Sequence, residues 1–392
     1  MLFSNGKKDE VILILDVQSS LVRAALILEE TGKKPYVLFI HNDAIPFQEN
    51  SDSTLLIKAT IEAVSRSIDE ILRYLHTVGR ANGPTLEGSR QIPWKISAVH
   101  YVLSSPWILS EAKRIAVQFP QQKIITNGMV FEMVRNEREK LAADVDAKNK
   151  VTVVEEKIFN VELNGYPISN WHGKSAISLD VSFVTSISGI RTVDRFKDIC
   201  RHVVRAHNIH FHSSLLLQHI GLSQIFPERE SYAIVHVHSE ITDVVLVDKR
   251  SCIFFGTYPF GTKSILRAVA GESGTDLRTA DSSINLQSSG IIDKKLDMNS
   301  SIVNKQYESW VDQLLKTVAR APIQFGPQLP IVVSAPERQN DFEQILKQKI
   351  PRSKVEALKI EEIITHATFD TTVDRLLMVG LYAIALGTLR PK

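Results

Sequence analysis

Apolar positions recur along this chain in two rhythms. Near the start they form short runs, Val11 to Leu15, Val22 to Leu28 and Tyr36 to Ile40, separated by polar residues such as Glu29-Glu30-Thr31-Gly32-Lys33-Lys34. Runs of this length broken by turn chemistry predict an antiparallel meander of three strands. From Thr54 to His76 the rhythm changes, and Ile57, Ile61, Val64, Ile68, Ile71, Leu72 and Leu75 fall three and four residues apart. That spacing gathers an apolar stripe on one face, which predicts an amphipathic helix covering the sheet.

Gly79, Asn82-Gly83-Pro84, Gly88 and Pro93 then mark a loop before the apolar run Ile96 to Leu103, and a boundary or insertion is expected there. Asn127 to Ala143 is helical in pattern. Val151 to Ser188 reads as strands broken at Asn164-Gly165 and His172-Gly173. Thr192 to Ala206 is helical again, with Val193, Phe196, Ile199, Cys200, Val203 and Val204 on one face. A sheet with these two helices predicts a compact α+β subdomain.

After residue 230 the opening pattern returns. Tyr232 to Val237, Val244 to Val247 and Cys252 to Phe255 form a second meander, and its first turn has the same eight-residue length, His236 to Asp243, as Asp16 to Arg23 in the first. Two copies of one supersecondary unit point to a duplicated fold, with chance similarity of short strands as the alternative. A helix is expected from about Gly261-Thr262-Lys263. The Gly/Ser/Asp-rich stretch 271–301 reads as loop, and helices at about 305–320, 338–349 and 373–387 bracket the strand Ile331 to Ser334.

Composition narrows the class. A chain of 392 residues, 44% hydrophobic and 23% charged, suits two globular domains of about 150–200 residues each and excludes disorder of the whole chain. The formal charge is +2 and no block of like charge is long enough to hold a polyanion, which argues against nucleic acid as the main partner. Two cysteines far apart in sequence, Cys200 and Cys252, suit a reducing compartment. Met1 to Lys8 lacks the apolar core of a signal peptide, and the apolar run Leu376 to Leu389 is too short to span a bilayer. A cytoplasmic protein with no direct membrane insertion is expected.

Three segments carry the candidate chemistry: Asp16-Val17-Gln18-Ser19-Ser20-Leu21-Val22-Arg23, His236-Val237-His238-Ser239-Glu240-Ile241-Thr242-Asp243 and Ser334-Ala335-Pro336-Glu337. In their order and spacing they resemble the two phosphate loops and the adenosine loop of the actin-like ATPases, within these the group of the pilus-assembly protein PilM and the cell-division protein FtsA. That group typically reads Asp-Ile-Gly-Ser-Ser-Ser-Val-Lys at the first loop and about Asp-Ile-Gly-Ala-Glu-Ser-Thr-Asp at the second. The closing segment Leu381-Tyr382-Ala383-Ile384-Ala385-Leu386-Gly387 is also similar to that group's C-terminal helix. The resemblance implies an α/β, actin-like (ribonuclease H-like) duplicated two-lobe fold with an inserted small α+β subdomain. Its expected divisions are 1–87 and 191–229 for the first lobe, 88–190 for the insert, and 230–392 for the second lobe, with 271–305 as a loop-rich insertion.

The departures from the motifs matter physically. A phosphate loop needs glycine because a Cβ, or a positive φ that other residues resist, keeps backbone N–H groups from phosphate oxygens. Gln18 and His238 stand where the family has that glycine. In the family the aspartates that open both loops organise hydrated Mg²⁺. Asp16 keeps this group, whereas His236 supplies no anionic oxygen. The Gly-Gly of the adenosine loop is replaced by Ser334-Ala335-Pro336, and the proline removes a donor. Hydrolysis of ATP with Mg²⁺ is therefore expected to be impaired or absent. One reading leaves these turns as plain strand connections with side chains filling the vacated cleft. The other keeps a non-canonical ATP site built from Asp16, Ser19, Ser20, Arg23, Ser239 and Thr242, with Arg23 or a protonated histidine on phosphate.

His236/His238 and His210/His212 each lie two apart on a strand and share a face, which allows zinc chelation, but neither pair has cysteine partners nearby and polar lining of a cleft is the simpler reading. No nucleophile elbow or P-loop is present. Trp94, Trp107 and Trp171 fall in or beside the insert and Trp310 in a helix, where core packing competes with an interface role. The expected function is a scaffold with a degenerate ATPase site that couples a membrane-anchored pilus- or secretion-type assembly to the cytoplasm. The resemblance implies that a short peptide from that partner docks near the cleft between insert and first lobe, with recruitment to the inner face of the plasma membrane. The alternatives are an FtsA-like polymerising protein, against which the ending Gly387 to Lys392 adds no basic amphipathic helix, and a small-molecule kinase of the same fold. Self-association stays open.

Overall fold

The structure is a computed structural model, and it describes residues 10–30, 32–46, 53–80, 95–145, 150–204, 208–288, 298–322, 329–335, 338–369 and 377–389. The expected loop over 79–93 and Trp94 fall largely or wholly outside these residues. The chain divides into one unit made of Met1–Glu228 with Lys359–Lys392, and a second made of Arg229–Leu358.

In the first unit, strands β1 (Glu10–Val17), β2 (Leu21–Glu29) and β3 (Tyr36–Ala44) form the expected meander, followed by helix α1 (Ser53–Arg80) and strand β4 (Ile96–Leu103), which runs parallel to β1. All of β1 beyond Glu10 is buried, so both of its faces are covered. Val11, Leu13, Leu15 and Val17 meet Ala63, Val64, Ile68 and Ile71 of α1 on one side.

The insert begins later than expected. Ile96–Leu103 pairs with β1 and not with the insert, whose own sheet consists of β5 (Leu109–Ile124), β6 (Val151–Leu163), β7 (Tyr166–Pro167) and β8 (Ser175–Gly189) in the order β5-β8-β6-β7, with helix α2 (Asn127–Val145) packed on it. The second helix grouped with the subdomain by pattern lies in the first lobe, where the expected division 191–229 puts it. Helix α3 (Ile190–Ile199), which runs on as a π-turn over Cys200–Val204, sends Val193, Phe196 and Cys200 into the core around β1, because its apolar stripe matches that larger face.

Strand β9 (Ile209–Ser213) then pairs parallel to β4 at the sheet edge and leads into helix α4 (Ser214–Ile225). In the second unit the order repeats. Strands β10 (Tyr232–Val237), β11 (Thr242–Asp248) and β12 (Ser251–Tyr258) form a meander, β13 (Ile331–Ser334) runs parallel to β10, and β14 (Val355–Ala357) closes the order β12-β11-β10-β13-β14. The first unit has β3-β2-β1-β4-β9 in the same sense, and the shared order and strand directions make this a duplicated fold.

The stretch 271–305 is not loop-rich in its described part. It holds the end of helix α5 (Thr262–Ser273), all of helix α6 (Leu277–Ser288) and the start of helix α7 (Met298–Val318). Helix α8 (Gln339–Lys349) follows β13, and the second unit stops at Leu358 instead of running to residue 392. The tail goes back to the first unit: helix α9 (Ile360–Ile364), strand β15 (Thr368–Phe369) parallel to β3, and helix α10 (Leu377–Leu389) against α4 and β2. The physical reason is that α10 is apolar all round and needs cover on every side; Met378 to Leu386 is buried without a break, and at Gly380 a Cβ would strike Ile363 and Phe369.

Candidate functional site

The first loop is a closed hairpin. Asp16 faces Arg23 and Val17 faces Val22, while the Gln18 N–H donates to the Leu21 carbonyl at 2.9 Å. Three more of its carbonyls are taken as well: Val17 accepts from Ser104 N–H at 3.1 Å, Ser20 from Ile45 N–H at 2.8 Å, and Gln18 from the Trp107 indole at 3.1 Å. Asp16 is 0% exposed, and its Oδ2 receives both Arg23 Nη1 at 3.0 Å and Gln18 Nε2 at 2.9 Å. Arg23 Nε is held by Asn42 Oδ1 at 3.0 Å. Gln18, which stands where the resembled motif has glycine, therefore reaches back to the Asp16 carboxylate within its own turn.

The second loop repeats the closure with its charges exchanged. His236 faces Asp243, Val237 faces Thr242, and His238 N–H donates to Ile241 at 2.9 Å. The acid now sits at the eighth position. Asp243 Oδ2 lies 3.1 Å from His238 Nε2, and its Oδ1 accepts from Thr257 at 2.7 Å. Thr242 Oγ1 donates to the Phe260 carbonyl at 2.6 Å and accepts the Trp310 indole N–H at 2.8 Å. Arg267 grips Glu240 through both guanidinium branches.

The start of α5 adds a further closure. A helix N-terminus presents free amides suited to an anion, yet here Thr262 N–H donates to the His238 carbonyl at 3.1 Å and Lys263 N–H to the Ser239 carbonyl at 2.7 Å. Only glycine fits between them, because a Cβ on Gly261 would collide with both of those carbonyls. In the third segment the Ala335 N–H donates to Gln339 Oε1 at 2.7 Å, and Gln339 Nε2 returns to the Val333 carbonyl at 3.1 Å. Pro336 and Glu337 lie outside the described residues.

Each of the other predicted residues has a definite place. Asp16, Gln18, Ser19, Ser20 and Arg23 stand in the first unit. His236, His238, Ser239, Glu240, Thr242, Asp243, Ser334 and Ala335 stand in the second, where His236 and Ser334 are neighbours on adjacent strands. Sequence reading missed Trp107, Asn42, Thr257, Gln339 and Gly261, since only strand pairing and loop return bring them to the turns. Trp107 and Trp310 are both buried, so core packing accounts for them. Tyr101 and Cys200, 3.1 Å apart in the core, offer no nucleophile, because burial pushes the thiol up to about 11 and the phenol well above its ordinary value.

A separate feature lies inside the first unit. Strands β6 and β9 and helix α3 enclose a groove of about 380 Å³. Asn208 accepts a bond from β4 through its carbonyl, whereas Ser213 N–H turns away to Glu155 Oε2 at 2.9 Å, so alternate residues of β9 turn their backbone outward at this edge. Phe211 lines the groove, with the Lys197 ammonium 5.8 Å from its ring.

The two histidine pairs differ. His236 and His238 pack at 4.1 Å between ring centroids, whereas His210 and His212 join His100 across the β4–β9 pair. His100 Nδ1 lies 3.0 Å from His212 Nε2, and His212 Nδ1 lies 3.0 Å from Glu155 Oε1. No group of three or more His, Cys, Asp or Glu among the described residues is arranged to hold a metal ion.

No protein-family model and no curated protein matches the chain in sequence. Solved structures do match in fold. The PilM–PilN type IV pilus biogenesis complex aligns with a TM-score of 0.64 at 13% identity, over 96% of each chain. The ethanolamine utilization protein EutJ from Carboxydothermus hydrogenoformans aligns at 0.47 and 9% identity over 97% of this chain and 91% of that one, and an apo pSK41 ParM at 0.41 and 10% over 97% and 98%. The chain has an actin-like ATPase fold of PilM-like form over nearly its whole length.

Proposed function

We propose that this chain is an actin-like scaffold with no working ATPase site, and that it binds a short segment of a membrane-anchored assembly protein in the groove between β6 and the edge strand β9. One observation carries the first half: both loops spend their own carboxylates and backbone on themselves, with Asp16 held by Arg23 and Gln18, and the first amides of α5 capped by the second loop. A buried carboxylate paired in this way has no reason to release its partners, since an uncompensated charge at that depth costs several kcal/mol.

The second half is supported by the groove's chemistry. An outward backbone edge beside apolar Phe211 and Val193 suits an extended segment that adds as a strand, with Lys197 beside it for an acidic group. The PilM–PilN complex, a pairing named for pilus biogenesis, supports a partner of this kind. No described helix is long and apolar enough to cross a membrane, so attachment to one would come through the partner.

Three measurements test the reading together. Calorimetric titration with Mg·ATP should give no heat at millimolar ATP in folded protein, and no ATP-dependent sedimentation should occur. Micromolar binding that Asp16→Asn abolishes would overturn the closed-loop reading. A photocrosslinking residue introduced at Val154 should trap the cytoplasmic segment of a membrane protein. The docking reading fails if it yields only what a control at Glu343, on α8, also yields.

A further inference from the structure

We infer that the chain Glu155–His212–His100 is a proton-sensitive latch on this groove; the inference rests on reading the groove as the docking site. Glu155 belongs to the insert and His212 to the edge of the first-lobe sheet, so their contact fastens one wall of the groove to the other. Glu155 holds the second wall twice, through His212 Nδ1 at 3.0 Å and the Ser213 N–H at 2.9 Å. His100 backs His212 from β4, with Nδ1 to Nε2 at 3.0 Å and the rings stacked at 5.3 Å.

Counting protons shows how the latch works. A carboxylate only accepts, so His212 carries its proton on Nδ1, and in the neutral array His100 Nδ1–H donates to the bare His212 Nε2. One added proton is accommodated. It makes His212 an imidazolium that donates to both Glu155 and His100, while His100 shifts its own proton to Nε2. The new charge then faces an anion, and the His100–His212 and His212–Glu155 bonds both survive. A second proton cannot be accommodated, because both rings would present N–H across the same 3.0 Å gap with no acceptor between them.

The surrounding charges add to that repulsion. His210 on β9 stacks on His100 at 4.9 Å, and Lys197 on α3 lines the same groove. Burial, and then the neighbouring His212, hold the His210 imidazole below its ordinary value. Against these stand Glu155 and Glu156 on β6, and Glu156 already has Arg138 at 3.6 Å. Loss of the His100–His212 bond frees His212 and with it one of the two points by which Glu155 holds β9. The Glu155–Ser213 N–H bond and the bonds of Ser110 to Ser186 and Ser213 then hold this junction without His212. The groove then widens and gives up its occupant under acid conditions.

Hydrogen exchange of the full chain, corrected for the intrinsic effect of pH, tests the latch without any partner. Protection over 151–156 and 209–213 should hold through the first proton and fall about tenfold across the second, the scale of one lost charge-assisted bond. The variant His100→Phe keeps a stacked ring but removes the second imidazole, so its exchange should show no such step. Protection that stays flat from pH 8 to 5, or the same step in His100→Phe, overturns the latch. If that variant does not fold, ring-nitrogen NMR of the wild-type chain decides. A neutral His212 without a proton on Nδ1 at pH 8 overturns the proposal, and a proton there with the His100 tautomer shifting on acidification supports it. These readings are independent of whether crosslinking at Val154 finds a partner, so the latch and the docking site can fail separately.

Discussion

At the scale of single residues, the two loops solve one problem in opposite ways. A buried carboxylate needs a cation or donors within its own turn, and the first loop puts the acid at its first position and the base at its eighth, whereas the second puts the acid at its eighth and a histidine at its third. Replacing Arg23 by methionine keeps the bulk and removes the charge. The variant should lose about 3–5 kcal/mol of stability in urea unfolding, because Asp16 stays buried without its cation. Asp16→Asn added to Arg23→Met should recover most of that loss, and a single variant of wild-type stability would show the pair to be incidental. The side chains at the turns were legible from sequence, since loss of glycine is visible in the letters. Their partners were not: Asn42 sits on another strand and Trp107 beyond the next one, so only sheet pairing brings them near.

Among elements, the start of α5 shows how a closed loop is kept closed. Gly261 lets the second loop lie directly on the helix end, so that its carbonyls take the first amides. Gly261→Ala should cost about 1–3 kcal/mol through overpacking, with backbone shifts in an amide spectrum concentrated over 236–243 and 261–265. A variant with wild-type stability and no local shifts would remove this contact from the account. Element identity was largely readable, as the meanders, α1 and β13 follow from period and turn chemistry. The stretch after residue 271 was misread because Ser and Asp are weak helix formers. Its helix is fixed by other means: Asp276 caps Thr279 N–H at 2.8 Å, and Ala280 and Ile284 share a buried face.

For the whole molecule, the division into units yields the clearest consequence. The second unit is continuous from Arg229 to Leu358, whereas the first requires the C-terminal segment. Leu381 packs so closely on Gly221 of α4 that a Cβ there would clash, and Tyr382 is fully buried within reach of the electrostatic influence of Asp16 and Arg23. Ending the chain at Leu358 should therefore leave the first unit without its side-chain order in near-ultraviolet circular dichroism and amide spectra, while 229–358 keeps its dispersed signals. Equal damage to both units, or none, would contradict this division.

The sequence alone determined the local outcomes: the strand rhythm, the duplicated eight-residue turns, and the side chains standing where the resembled motifs have glycine. These depend on neighbours within a few positions, where periodicity and backbone sterics act directly. Tertiary structure decided the rest. It returned Ile96–Leu103 to the sheet of the first unit and carried α10 back across the chain. It also drew Glu155, His212 and His100 from three strands into one hydrogen-bonded line. Such contacts join residues far apart in sequence, and their energies come from burial and pairing that exist only once the sheets have formed.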